Sequence, residues 1–138
     1  MAKTIIKVDI EALNAEFETL GFQERIKRLY EYFLVDQVLF TSSFGTKSVV
    51  MLTLVSRGNA GQKVHMLNTG YHFSETIAYK DTLSEVTGLE VVEIHPDAAR
   101  QQETQDAKMW ESQPARCCHY NKVMPLKAVK EVYTVWMS

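Results

Sequence analysis

Residues 37–54, QVLFTSSFGTKSVVMLTL, contain an apolar run, a cluster of small polar residues and a second apolar run. The first run, at 38–40, has the β-branched and aromatic side chains of a short buried strand. The polar cluster at 41–45 supplies the hydroxyls and the glycine of a tight turn. From Ser48 onward the pattern predicts a helix that enters the core. This stretch therefore predicts a strand, a loop and a helix in immediate succession.

The start of that helix is a predicted anion-binding site. The first N–H groups of a helix have no partner within the helix, and the helix dipole favours negative charge at this end. Ser42, Ser43 and Ser48 add side-chain donors to the same place. An ordinary serine-rich turn between a strand and a helix is the alternative interpretation.

Two common phosphate loops do not fit these residues. A Walker loop needs a lysine directly after a glycine, but Lys47 follows Thr46, and Thr41 occupies the place of the first glycine of that loop. A dinucleotide fingerprint needs a series of glycines, and this loop has Gly45 alone.

The length, composition and net charge of the chain limit the class of protein to which it can belong. A length of 138 residues and a hydrophobic content of 46% predict one domain over 1–138 with a single core, and this domain includes a helical lead-in at about 8–34. The net charge of -2 provides no basic field for DNA or RNA, so nucleic-acid binding is disfavoured. No apolar run is long enough for a signal peptide or a membrane span, which predicts a soluble, cytoplasmic protein without a membrane partner.

The remaining chain alternates between predicted strands and helices. Amphipathic helices are predicted at 8–20 and 22–33, with Gly21 ending the first. A turn at 56–61, a strand at 63–67, a helix at 75–87 capped by Ser74, and a strand at 89–94 follow. This alternation predicts an α/β fold, a Rossmann-like parallel sheet with helices on both faces.

Ligands bind beyond the carboxyl ends of the strands in such sheets, so the polar junctions at 41–48 and 68–75 should open onto one crevice. The polar segment at 97–113 predicts a surface helix or a mobile segment. Residues 132–137 are strand-like, and a sheet that stops there has an incomplete edge. Pairing of that edge with a second copy, a homo-oligomer, is therefore an expectation.

Cys117 and Cys118 are the only cysteines, and they are neighbours. This spacing does not suit a disulfide scaffold and favours metal or redox chemistry in a reducing compartment. A zinc site that adds His119 and either His72 or His95 is disfavoured, because zinc-binding cysteines are usually separated by two to four residues. Two small, partly buried side chains are the structural alternative.

Several motifs together resemble the assimilatory adenylyl-sulfate and phosphoadenylyl-sulfate reductases, which have the adenine-nucleotide α-hydrolase-like (PP-loop) fold. The loop at 41–48 is similar to the pyrophosphate-type loop of that family, and the segment at 67–76, LNTGYHFSET, is similar to its LDTGxxFPET segment. Trp110 followed by CCHYNKVMPL at 117–126 resembles a tryptophan followed by CCxxRKVxPL. The residues at 133–138 resemble the start of a strand that continues into a WxxGxR stretch.

The resemblance implies that the first loop holds the phosphate and sulfate of a nucleotide and that the second holds its adenine and ribose. The implied substrate-binding residues lie in both loops and at one lysine: Thr41, Ser42, Ser43, Phe44, Gly45, Ser48, Leu67, Asn68, Thr69, Gly70, Phe73, Glu75 and Lys122.

The implied activity is reduction of adenylyl sulfate or phosphoadenylyl sulfate to sulfite, with thioredoxin or glutaredoxin as donor. Paired cysteines mark the branch that uses adenylyl sulfate and carries a [4Fe-4S] cluster, so Cys117 and Cys118 would supply two of its four thiolates. The second cysteine pair and the catalytic cysteine of the family lie beyond the position that matches Ser138. The resemblance therefore implies no nucleophile and no complete cluster site within these 138 residues.

The chain departs from the family pattern at four positions. Asn68 and Asn121 stand where the family usually has Asp and Arg, Ser74 replaces a Pro, and Lys47 occupies the place of the Asp in the related loop. Lys47 would add positive charge near the anion, or it is an exposed lysine at a helix start. These departures leave a second function open, a non-catalytic adenine-nucleotide-binding module or subunit.

Overall fold

The computed structural model describes residues 8–138; residues 1–7, the start of the predicted domain, lie outside that range. None of the helices within residues 8–138 has the length and apolar character needed to cross a bilayer. The helices are α1 (Ile10–Glu18), α2 (Phe22–Tyr32), α3 (Ser48–Gly58), α4 (Ser74–Thr87), α5 (Ala98–Asp106), α6 (Met109–Ser112), α7 (Pro114–Cys118) and α8 (Met124–Lys130), with a 3-10 turn at Val35–Gln37 and a π-helical stretch at His119–Val123.

The strands form an open, four-stranded parallel sheet in the order β3-β2-β1-β4, so the predicted α/β parallel fold is confirmed. The strands are β1 (Val38–Thr41), β2 (Val64–Leu67), β3 (Val91–Ile94) and β4 (Val135–Met137). In the central pair, Thr41 lies opposite His65. The carboxyl ends of β1 and β2 therefore meet at one edge of the sheet, and the loops at 42–47 and 68–73 leave from that edge together.

Side chains of the two central strands pack with those of the helices into one buried core. The stretch at 37–54 provides much of it, since residues of β1, of the following loop and of α3 all contribute. The buried members are Ile26, Phe40, Phe44, Leu52, Val55, Val64, Met66, Leu83 and Leu89.

The predicted start of α2 at Phe22 and the predicted end of α4 at Thr87 are confirmed, whereas other predicted helix boundaries are wrong. Asp9 caps α1 by accepting a hydrogen bond from the Ala12 N–H at 3.1 Å. Gly21 does not end α1, which stops at Glu18; it is the residue that precedes α2. The predicted turn at 56–61 begins too early, because α3 continues to Gly58. Ser74 is the first residue of α4 and not its cap, because Phe73 takes the cap position without a side-chain hydrogen bond.

The segment at 97–113 is helical, and it is more than a surface element. Thr104 in α5 is completely buried, and Met109 at the start of α6 is also in the interior. The π-helical stretch that follows was not predicted. A π-bulge shifts the helical register by one residue, and such stretches are frequent at functional sites.

A buried glutamine ties α2 to the central strands. Gln62 is 2% exposed, and its Nε2 donates to the carbonyls of Val38 and Lys63, each at 3.0 Å. Its Oε1 accepts from the Tyr30 hydroxyl at 2.7 Å. Burial raises the pKa of Tyr30 to about 12, because the charged phenolate is disfavoured away from water.

This burial predicts a loss of stability at alkaline pH. An unfolded chain releases the tyrosine proton near pH 10, whereas the folded protein keeps it up to about pH 12, so the free energy of unfolding should fall between these values. Urea denaturation of wild type and Tyr30→Phe at intervals from pH 8 to 12 measures this effect. The variant should show a shallower decline above pH 10, and parallel declines would contradict the assignment.

Candidate functional site

A cavity of about 560 Å³ lies beyond the carboxyl ends of β1 and β2. The two loops start side by side, and the Ser42 N–H continues the strand pairing by donating to the His65 carbonyl at 3.0 Å. The cavity is lined by residues of β1, β2 and β4, of both loops, of α3, of the helical segments near the carboxyl end of the chain and of the residue after β4: Phe40, Thr41, Ser42, Ser43, Lys47, Ser48, Met51, Leu67, His72, Lys122, Leu126, Trp136 and Ser138.

Phe44 fixes the shape of the first loop. Its backbone has φ 53°, in the left-handed region, and its side chain is 2% exposed within the core. Its N–H donates to Ser42 Oγ at 3.2 Å. Phe44, which was predicted to contact substrate, is therefore an anchor of the loop whose side chain points away from solvent.

Two hydroxyls, one at the end of β1 and one in the first loop, can donate their protons to a ligand. Thr41 Oγ1 accepts from the Trp136 Nε1–H at 2.9 Å, and Ser42 Oγ accepts from the Phe44 N–H. A hydroxyl that accepts from a fixed donor still has its own O–H to give. Both side chains line the cavity, so both can donate to an acceptor atom bound there.

The start of α3 offers fewer free amides than a simple helix start. The Ser48 N–H already donates to the Gly45 carbonyl at 3.0 Å, and the Val50 N–H donates to the Lys47 carbonyl at 3.3 Å. The first turn of α3 contains no acidic residue. The side chains of this turn therefore provide more of the attraction for an anion than its backbone amides do.

The charge of the cavity is positive. Lys47 from the first loop and Lys122 from the π-helical stretch both line it. Within the described part of the chain, no aspartate or glutamate contributes to this lining. Lysine ammonium groups are point charges that bind phosphate and sulfate well.

The second loop is held by hydrogen bonds of its own side chains. Asn68 Oδ1 accepts from the Gly70 N–H at 3.1 Å, and Thr69 Oγ1 accepts from the Tyr71 N–H at 3.2 Å. Gln101 Nε2 donates to the Thr69 carbonyl at 2.5 Å. Gly70 has φ 82°, a left-handed conformation that favours glycine. These contacts shape the loop beside the cavity.

The structure thus separates the predicted substrate-binding residues into two groups. Six of them line the cavity together: Thr41, Ser42, Ser43, Ser48, Leu67 and Lys122. The other seven lie outside its lining: Phe44, Gly45, Asn68, Thr69, Gly70, Phe73 and Glu75. Of these seven, Phe73 and Glu75 have side chains exposed on the surface.

Sequence reasoning did not assign His72 and Trp136 to the site. Trp136 lies next to β1 because β4 pairs with it, with Leu39 opposite Trp136, and Lys130 Nζ stacks 4.2 Å from the centre of the indole ring. His72 comes from the second loop, and its Nε2 lies 2.8 Å from the Leu67 carbonyl oxygen. The signals that would have found them are a polar residue in the loop that follows a central strand and an aromatic residue in a strand that pairs beside one.

A second cavity of about 320 Å³ adjoins the cysteine pair. Cys117 is buried and Cys118 is exposed. Asn121 is 2% exposed, and its Nδ2 donates to Thr104 Oγ1 at 3.1 Å and to Cys117 Sγ at 3.5 Å. The Asn121 side chain therefore reaches the cysteine side of the structure and is absent from the lining of the first cavity.

These residues do not fit a [4Fe-4S] cluster by themselves. Such a cluster takes four thiolates, and the chain has two cysteines. No group of three or more His, Cys, Asp or Glu side chains comes together as a metal site anywhere in residues 8–138.

The chain resembles known sulfonucleotide reductases in sequence and in fold. The family described as the phosphoadenosine phosphosulfate reductase domain matches residues 37–138. Adenosine 5'-phosphosulfate reductase of Bacillus pumilus is 31% identical over 106 residues, which cover 75% of this chain and 46% of the relative. The enzyme of the same name from Halalkalibacterium halodurans is 30% identical over 136 residues, or 96% of this chain and 58% of the relative.

A crystal structure of phosphoadenylyl-sulfate (PAPS) reductase from Candida auris, in complex with phosphate, has a similar fold, with a TM-score of 0.69 at 20% identity. The similarity covers 94% of this chain and 68% of that one. The chain spans about half the length of the curated relatives it matches. On the strength of the match to residues 37–138, the chain belongs to the phosphoadenosine phosphosulfate reductase domain family.

Proposed function

We propose that this chain is the nucleotide-binding part of an assimilatory reductase that acts on adenylyl sulfate or phosphoadenylyl sulfate in the cytoplasm. One observation carries the proposal: the cavity beyond β1 and β2 combines hydroxyl donors with two lysines and has no carboxylate side chain among its described lining residues. A nucleotide sulfate presents acceptor oxygens and negative charge, which this lining complements.

The reaction would begin with a cysteine thiolate that attacks the sulfur of the bound sulfate. A sulfur–sulfur bond forms, the bond from that sulfur to the bridging oxygen breaks, and the nucleotide leaves as AMP from adenylyl sulfate or as adenosine 3′,5′-bisphosphate from phosphoadenylyl sulfate. A dithiol protein such as thioredoxin or glutaredoxin then attacks the modified cysteine, releases sulfite and ends as a disulfide. No cysteine lines the first cavity within residues 8–138, so the attacking thiolate would come from outside these residues.

The residues of this chain would bind and orient the nucleotide. Thr41 and Ser42 donate hydroxyl protons to the anionic end, and Lys47 and Lys122 balance its charge. Trp136 keeps the Thr41 hydroxyl in a donating orientation, because its indole N–H occupies an Oγ1 lone pair. Together these contacts would hold the sulfate with its sulfur presented to an incoming thiolate.

Calorimetric titration of the anaerobically purified chain tests the proposal. Adenylyl sulfate, its 3′-phosphorylated form and AMP are added separately, and GMP serves as the control for base recognition. We expect micromolar binding of at least one of the three adenine nucleotides. Absence of heat with all three, for a chain that shows cooperative thermal unfolding, would contradict the proposal.

The two lysines should contribute separately to the affinity. A charge-assisted hydrogen bond contributes about 1.5 to 3 kcal/mol, so Lys47→Met or Lys122→Met should weaken nucleotide binding about tenfold or more. Lys127→Met is the matched control, since Lys127 is an exposed lysine outside the cavity lining. The same titrations at increasing salt should show a smaller salt dependence for the two cavity variants. Equal affinities for all four proteins would exclude these lysines from the site.

A non-catalytic nucleotide-binding module is the second candidate function. It is favoured by the two amides that replace charged residues of the family pattern. Asn68 Nδ2 donates to Glu93 Oε2 at 3.4 Å, and Glu93 also accepts from Lys80 at 2.8 Å, a hydrogen bond that lowers the pKa of the glutamate. An aspartate at position 68 would face the Glu93 carboxylate, so the neutral amide suits this neighbour.

This pairing predicts a penalty for restoring the family residue. Asn68→Asp should lower the free energy of unfolding by about 1 kcal/mol at pH 7, because it places two carboxylates together near the surface. Asn68→Asp combined with Glu93→Gln should recover most of that loss, since it exchanges the roles of the two side chains. Urea denaturation of wild type, of both variants and of Glu93→Gln alone gives the four free energies of unfolding of a double-mutant cycle. An Asn68→Asp protein as stable as wild type would show that Glu93 does not restrict position 68.

A further inference from the structure

His72 occupies the boundary between the two cavities. It lines the cavity beyond β1 and β2 and also the cavity beside the cysteine pair. Lys122 is the other residue that the two linings share. A ligand in the first cavity therefore meets His72 and Lys122 on the side that faces Cys117 and Cys118.

A backbone carbonyl fixes which nitrogen of His72 carries a proton. The Nε2 atom lies 2.8 Å from the carbonyl oxygen of Leu67, which can only accept a hydrogen bond. The ring must therefore donate from Nε2. In the neutral ring the other nitrogen, Nδ1, is then an acceptor, and no residue of 8–138 forms a hydrogen bond with it.

This acceptor differs from the groups around the first loop. Thr41, Ser42, Lys47 and Lys122 all present donors to the cavity. The phosphate and sulfate of a nucleotide offer only acceptor oxygens, so a neutral His72 has no favourable contact with them. The hydrogen-bond donors of an adenine nucleotide are the ribose hydroxyls and the amino group of the base.

The position of His72 in the cavity favours a contact with the ribose over a contact with the base. The ribose is bonded directly to the phosphate, and His72 shares one cavity with the anion-binding side chains of the first loop. The amino group of adenine lies at the far end of the nucleotide. We propose that His72 is a substrate-binding residue whose Nδ1 accepts a hydrogen bond from a ribose hydroxyl of the nucleotide. This inference rests on the proposed function and assigns a residue to ribose recognition.

The hydrogen bond to the Leu67 carbonyl fixes the orientation of the His72 ring as well as its tautomer. Its ring is half-buried, and the hydrogen bond to Leu67 ties the second loop to the end of β2. A side chain held in one orientation before binding loses little conformational entropy when the ligand arrives. The hydrogen bond between His72 and the ribose hydroxyl should therefore increase the affinity for the nucleotide.

The experiment compares AMP with nucleotides that each lack one of the donor groups of AMP. The chain is titrated at pH 8, above the range in which histidine side chains ordinarily gain a proton, with AMP, 2′-deoxy-AMP, 3′-deoxy-AMP and IMP. His72→Gln retains a donor that can reach the Leu67 carbonyl but removes Nδ1. His72→Asn places an amide oxygen near the position of Nδ1 and gives up the leucine contact. His95→Gln is the control, because His95 is an exposed histidine outside both cavities.

We expect wild type to bind one of the two deoxynucleotides about threefold to tenfold more weakly than AMP, the range for one neutral hydrogen bond. His72→Gln should bind AMP weaker by a similar factor and should no longer distinguish AMP from that deoxynucleotide. His72→Asn and His95→Gln should still distinguish them.

Four results would overturn the inference. Equal discrimination in wild type and His72→Gln, or no discrimination in wild type, would remove His72 from ribose recognition while the nucleotide site stands. A wild-type preference for AMP over IMP that disappears in His72→Gln would assign the contact to the base. A wild type that binds none of the nucleotides would refute the proposed function and this inference together.

Discussion

The conformation of Phe44 is the constraint on which the candidate site depends. A non-glycine residue in the left-handed region costs about 1 to 2 kcal/mol. Burial of a phenylalanine side chain contributes about 1.5 to 3 kcal/mol, which is enough to offset that cost. Because Phe44 is 2% exposed at φ 53°, the core holds the loop in a shape that the loop sequence alone would not favour.

That shape sets the chemistry of the cavity. The turned backbone at Phe44 brings its N–H onto Ser42 Oγ, and parallel pairing of β4 with β1 brings the Trp136 indole onto Thr41 Oγ1. Each hydroxyl therefore accepts from the protein and can donate to a ligand. The packing of the core is in this way linked to a surface that offers donors and positive charge to an anion.

The two loops that leave the sheet have different roles. The first loop and Lys122 present donors, whereas the second loop uses most of its polar groups to hold itself together. Asn68 and Thr69 bond to amides two residues further along the chain, and Gln101 of α5 supports the Thr69 carbonyl. Among the residues of this loop, His72 is the one that lines the cavity, so the second loop contributes little of the cavity lining.

Much of the fold could be predicted from the sequence because strands and helices alternate with clear periodicities. The strand, loop and helix at 37–54 carry their own turn residues, so local signals agreed with the global fold. Contacts made at a distance were less predictable. Whether Phe44 faces the core or a ligand depends on its backbone conformation. The π-helical stretch places Lys122 in the lining of both cavities and Asn121 in that of the second cavity alone, and it leaves no periodicity to detect.

Hydrogen–deuterium exchange of the chain with and without adenylyl sulfate tests the location of the nucleotide site most directly. We predict slower exchange at residues 42–48 and 67–72, the loops beyond β1 and β2. The small cavity of about 210 Å³ at the amino ends of these strands, lined in part by Asp36, His65 and Tyr133, provides an internal reference that should not change. Protection confined to that opposite edge, or to neither loop under conditions where binding is measured, would contradict the account.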